Sequence, residues 1–130
     1  SLHATYKDDP DNTGGYECFG FANELAKYVF GSFPTTSESA REQYRNPGWS
    51  FTYGSDAIDK LCVGDIVRYY NHSIFVTGIE GDTIFYCQAN VPYKSNRVTY
   101  DNTTSRSTLK YEISRMLYES CEKQRVRTFF

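Results

Sequence analysis

Four cysteines and two histidines carry most of the reactive side-chain chemistry in this chain of 130 residues. Cys18 is the one best placed to act. It opens a segment in which Cys18, Ala22, Leu25 and Val29 recur at helical spacing. A thiol in the first turn of a helix sits at the positive end of the helix dipole, beside backbone N–H groups that have no intrahelical partner. Both features favour thiolate over thiol, and the thiolate is the nucleophile. The same N–H groups can receive the oxyanion that forms when a carbonyl is attacked. Gly14-Gly15, just upstream, lets the backbone approach a substrate closely. The plainer reading of Cys18 alone is a small buried residue on the helix stripe.

A thiol nucleophile needs a base, and His72 is of the right type. It stands at the start of a β-rich run, after the short link Tyr70-Asn71. By itself it would read as a surface hairpin histidine. A tight turn at Glu80-Gly81-Asp82 folds the His72 strand back on the next one, which places position 90 beside 72 and Gln88 one step away on the same face. Gln88 and Asn90 are both polar, and either amide oxygen could accept a bond from the His72 ring and fix its tautomer. The plainer alternative is that both simply end the strand before Pro92.

The remaining reactive groups form no recognisable set. No cysteine pair has C-x-x-C spacing and no two histidines are close, so no metal site and no cofactor are expected. Cys62, Cys87 and Cys121 read as bystanders, and their density is below that of a disulfide-built domain. Asn71-His72-Ser73 and Asn102-Thr103-Thr104 match the N-glycosylation pattern. A glycan beside a working His72 would block it, which argues mildly for a bacterial source.

The elements that must position these residues follow from periodicity. Residues 1–15 are polar and turn-rich and read as an arm. A helix is predicted over 17–30, stopped by Gly31 and Pro34. A weaker helix is predicted over 35–45. Trp49, Phe51 and Tyr53 alternate with polar residues as a short strand or aromatic loop, and 55–60 reads as one helical turn. Three runs rich in Val, Ile, Phe, Tyr and Thr predict a β-meander across 65–90, with a further strand at 97–100. A C-terminal helix is predicted near 108–121 and a last strand at 126–130.

Composition bounds the whole. The length suits one domain spanning 1–130. The abrupt start at Ser1 reads as a piece of a longer protein. Leu, Ile, Val and Phe make up only 27 residues, so much of the apolar volume must come from the 12 tyrosines, which suit half-buried walls better than a dry interior. A net charge of −2 gives no footprint for nucleic acid. No apolar run reaches the ~18 residues of a membrane span, and no signal peptide is visible.

A family resemblance rests on four segments. Gly15-Tyr16-Glu17-Cys18-Phe19-Gly20-Phe21-Ala22 resembles the nucleophile helix of CHAP-type domains, the cysteine, histidine-dependent amidohydrolases/peptidases, and is similar to that of the NlpC-type cell-wall peptidases. Val63-Gly64-Asp65 resembles the family's V-G-D at the start of a strand, and His72–Gly78 its histidine strand. Cys87-Gln88-Ala89-Asn90 resembles the segment that carries an acidic residue and then an Asn, with Gln88 standing where the family usually has Glu or Asp. The resemblance implies an α+β, papain-like fold and hydrolysis of an amide bond in bacterial peptidoglycan. Carried over by position, Cys18 would be the nucleophile, His72 the base and acid, and Gln88 or Asn90 the orienting residue. Tyr16, Trp49, Phe51 and Tyr53 are candidate cleft walls for a peptidoglycan or muropeptide substrate. The implied protein is a secreted or cell-surface bacterial monomer that neither enters a membrane nor binds nucleic acid. The rival readings are a protein-directed cysteine peptidase or toxin of the same fold, and a catalytically silent wall-binding module, which the neutral Gln88 favours.

Overall fold

A computed structural model of the chain describes residues 3–5, 17–35, 45–69, 72–89, 97–112 and 117–120. The first helix, α1 (Glu17–Phe30), has the predicted limits. It stops where Gly31 takes φ 80 and its N–H donates to the Lys27 carbonyl at 2.8 Å, a left-handed cap that suits glycine. Ala22, Ala26 and Phe30 of its stripe are buried with Trp49, Ile66 and Phe75.

The fold is α+β. Among the described residues, seven strands form one sheet: β1 (His3–Thr5), β2 (Ser50–Tyr53), β3 (Ile66–Tyr69), β4 (His72–Glu80), β5 (Thr83–Ala89), β6 (Arg97–Ser105) and β7 (Leu117–Ser120). Their order is β1-β6-β5-β4-β3-β7-β2, and every pairing is antiparallel. The predicted meander is β3–β5, joined by two-residue links: Tyr69 pairs with His72, and Glu80 with Thr83. Gly81 takes φ 59 in the second link.

The V-G-D segment has a structural job at the start of β3. Gly64 takes φ 96, where a side chain would be strained, and its N–H donates to the Val76 carbonyl at 2.8 Å. Val76 N–H returns a bond to the Asp65 carbonyl at 2.9 Å. The buried Asp65 carboxylate closes the turn by accepting the Cys62 N–H at 2.7 Å.

Both faces of the sheet are covered. α1 packs on β4 and β5. Under it lie Ile66 and Phe75, with a second group of Phe21, Cys87, Ala89 and Val98. The opposite face buries Val67, Ile74, Val76 and Ile84 against Ala57, Ile58 and Leu61 and against Leu109. Ala57 and Ile58 come from a 3₁₀ helix over Ser55–Lys60, and Leu109 from α2 (Arg106–Glu112). Arg106 ties this layer together through the Ile58 carbonyl at 2.6 Å and the Gly81 carbonyl at 3.2 Å.

Two predictions need correction. The C-terminal helix predicted near 108–121 is instead the shorter α2, and Leu117–Ser120 is a strand lying between β2 and β3. Two strand edges wanting a partner outweigh the helical spacing of Leu117. The strand predicted at 97–100 runs on to Ser105, because β5 offers partners along its whole length. The helix predicted over 35–45 and the strand at 126–130 fall almost wholly outside the described residues.

Candidate active site

Cys18 lies in the first turn of α1 and is only 8% exposed. It is a thiol, as are Cys62 and Cys87. Its neighbour Phe19 is buried, and the Arg68 guanidinium lies over the Phe19 ring, 5.1 Å from the centroid.

His72 begins β4 and is half-buried. Its Nε2 is 2.7 Å from Gln88 Oε1, so the amide oxygen accepts the ring N–H. With the proton on Nε2, Nδ1 is left as the lone-pair nitrogen. The contact is diagonal across the two strands. Phe75 pairs with Cys87, and the same register sets Ile74 opposite Gln88. Two residues beyond Phe75 on β4, Thr77 is bulged out between the Val76 and Gly78 pairs.

Burial pushes the His72 pKa below its ordinary 6.5, and the nearby Arg68 charge adds to this; the Gln88 bond opposes it. The ring is therefore neutral at neutral pH, the state a general base requires.

Two residues that the motif reading passes over complete the surroundings. Tyr69, directly opposite His72, meets its ring edge-on, with centroids 5.6 Å apart and planes at 87°. Its phenol is held far above the usual tyrosine range by burial first, then by Tyr86, Glu112 and Cys18. Arg68, 7% exposed, donates from Nη1 to Ser73 Oγ at 2.8 Å. The sequence holds a signal for each. The two-residue link places 69 opposite 72, and Arg68 is a charge that interrupts Ile66-Val67 and Tyr69-Tyr70.

Strand alternation divides these side chains between faces. Tyr69, His72, Tyr86 and Gln88 share the face of Ile74 and Val76. Arg68, Ser73 and Phe75 lie on the face that α1 covers. Cys18 belongs to α1, the helix that covers the Arg68 face.

The aromatic strand contributes packing rather than an open wall. Trp49 is 3% exposed, stands edge-on to Phe30 and donates from Nε1 to Ser32 Oγ at 2.9 Å. Phe51 is also buried, and only Tyr53, 57% exposed, faces solvent. Phe51 and Tyr53 belong to β2, separated from β4 by β3 and β7, while Trp49 packs into the cluster under α1. Tyr16 and Asn90, like Gly14, Gly15 and Cys121, lie outside the described residues.

Comparison with known proteins locates the architecture. The chain is similar to the crystal structure of Ly7917, with a TM-score of 0.60 and 15% identity. The fold is shared. The match covers 89% of this chain and 56% of Ly7917, so this chain spans little more than half of that protein. No family model matches the sequence, and no curated protein matches it with significance.

The other cysteines have quieter settings. Cys87 is buried, and its thiol is pushed up to about 11, by burial first and then by Asp101. Cys62 points at the Lys60 carbonyl, 3.5 Å away. Among the described residues no group of His, Cys, Asp and Glu could hold a metal ion, and no helix is long and apolar enough to cross a membrane. Asn102 Nδ2 donates to Thr99 Oγ1 at 2.7 Å and to the Thr99 carbonyl at 3.1 Å, contacts that a glycan on that nitrogen would disrupt.

Proposed function

We propose that this domain is a papain-like cysteine hydrolase of the CHAP type that cleaves an amide bond of the peptide part of bacterial peptidoglycan. The observation that carries the reading is the 2.7 Å contact between His72 Nε2 and Gln88 Oε1 on adjacent strands. That bond leaves Nδ1 as the acceptor, and a helix whose first turn bears Cys18 packs on the same two strands.

In this mechanism Nδ1 takes the proton of the Cys18 thiol, and the sulfur attacks the amide carbonyl carbon. The oxyanion is received by backbone N–H groups at the start of α1. His72 returns the proton to the leaving amine, then draws one from water as it attacks the thioester, releasing acid and free thiol. Gln88 holds the ring throughout. Being neutral, it orients the imidazole without stabilising imidazolium as a carboxylate would. A secreted or cell-surface location accords with such a substrate.

Purified cell wall incubated with the protein should gain new amine termini, and Cys18→Ala should abolish them. Equal product from both proteins overturns the proposal. Tight adsorption to wall without product, unchanged by Cys18→Ala, would instead indicate a silent binding module, the reading that the amide at position 88 favours.

A further inference from the structure

The thiol-hydrolase reading leaves one question open: what supplies fixed charge to a site whose histidine partner is neutral. The strands β3 and β4 hold a candidate. Arg68 is directly opposite Ser73 in the register, and Ser73 is the residue after His72. The guanidinium donates to Ser73 Oγ at 2.8 Å and lies 5.1 Å over the ring of Phe19, the residue after Cys18. Arg68 thus touches the chain neighbour of each proposed reacting residue. It is 7% exposed, and its charge is felt at His72. Arginine keeps its proton at all working pH values, and its planar fork can stack on a ring and donate in-plane at once.

We propose that Arg68 is the positioning residue of this site, a buried cation that bolts the first turn of α1 to the start of β4. In a triad with a carboxylate, the negative group favours imidazolium. Here the polarity is reversed: the orienting group is uncharged and the fixed charge is positive. The resting state then has neutral His72 ready to accept a proton, and the first turn of α1 is held beside the same guanidinium. The other polar groups around His72 do not supply this charge. Tyr69 on β3 and Tyr86 on β5 keep their protons, and Gln88 on β5 is neutral. Glu112 on α2 acts on the two tyrosines, and Cys18 on α1 acts on Tyr69. This proposal rests on the hydrolase reading but is tested without substrate.

The test is an NMR pH titration of His72, with the rate of iodoacetamide labelling at Cys18 relative to Cys62 read by mass spectrometry. Three proteins are compared: the parent, Arg68→Gln and Arg68→Lys. Arg68→Gln should raise the His72 midpoint by about half to one pH unit, a threefold to tenfold gain in proton affinity, part of the low value being due to burial alone. Labelling of Cys18 should slow several-fold, and Arg68→Lys should restore the midpoint but not the full labelling rate. A folded Arg68→Gln protein with both readouts unchanged overturns the proposal. Should Arg68→Gln fail to fold, Phe19→Leu and Ser73→Ala take its place, since each removes a group that the guanidinium touches; unchanged readouts in both overturn it equally. Absence of wall cleavage by the parent protein counts against the hydrolase reading and leaves these titrations unaffected.

Discussion

The ring of His72 is held by a neutral amide, the side chain of Gln88. A carboxylate placed at Gln88 would sit at hydrogen-bond distance from Nε2 and favour the charged ring. Gln88→Glu should therefore raise the His72 pKa by about one to three pH units, as read by NMR titration. An unmoved midpoint would refute the assigned contact. The low pKa also links the residue to stability. Because burial and Arg68 penalise the charged ring, the unfolded chain takes up the proton first as pH falls. The stabilising contribution is whole above the ordinary value of 6.5 and is lost as pH falls from there toward the folded-state value. Urea midpoints measured at pH 7.5 and pH 5 should drop less for His72→Gln than for the parent. The His72–Gln88 pair was legible because the turn at 80–82 fixes the register from nearby. Gln88 is in contact with the ring, and Asn90 lies outside the described residues. The burial of Trp49 was not legible, since alternation marks a strand without saying whether its apolar face meets a cleft or a helix.

At the scale of elements, the turn before β3 is the part most exposed to single changes. Asp65→Ala removes the acceptor of the Cys62 N–H in a part-buried turn and should cost about 1–3 kcal/mol in urea unfolding. Gly64→Ala forces a side chain onto φ 96 and should cost about 1–2 kcal/mol by the same measurement. Gly64 also holds the Val76 carbonyl, next to the Thr77 bulge, so the second change should shift the His72 and Gln88 amide signals as well. The limits of α1 and of the meander strands were readable because each is set by local chemistry: Gly31 after a helical stripe, and two-residue links between β-rich runs. β7 was not. Its neighbours β2 and β3 lie far away in sequence, and nothing local distinguishes Leu117-Tyr118 as strand rather than helix.

Among the described residues the sheet lies between two covers, one of them on the face that carries His72. That cover comprises the 3₁₀ helix and α2, whose Leu109 is fully buried against Ile74 and Val76. Leu109→Ala should lower stability by about 2–5 kcal/mol, read as a fall in the urea midpoint. The ion pair Lys110–Asp59 on the same cover, 2.6 Å long but half in solvent, should contribute less than about 1 kcal/mol. The tyrosines counted in the sequence supply part of this cover, with Tyr69 and Tyr86 packed on its edge. The strand order also has a consequence in time. During synthesis β3, β4, β5 and β6 can pair as each leaves the ribosome, so the strands bearing His72 and Gln88 assemble early. β2 and the outer side of β3 must wait for β7, the last strand of the order to be made. Throughout that interval the nascent chain carries two open backbone edges that a neighbouring polypeptide can occupy. Ribosomes stalled before residue 117 should therefore hold a chain with its chemistry-bearing strands paired and its sheet still open to the wrong partner.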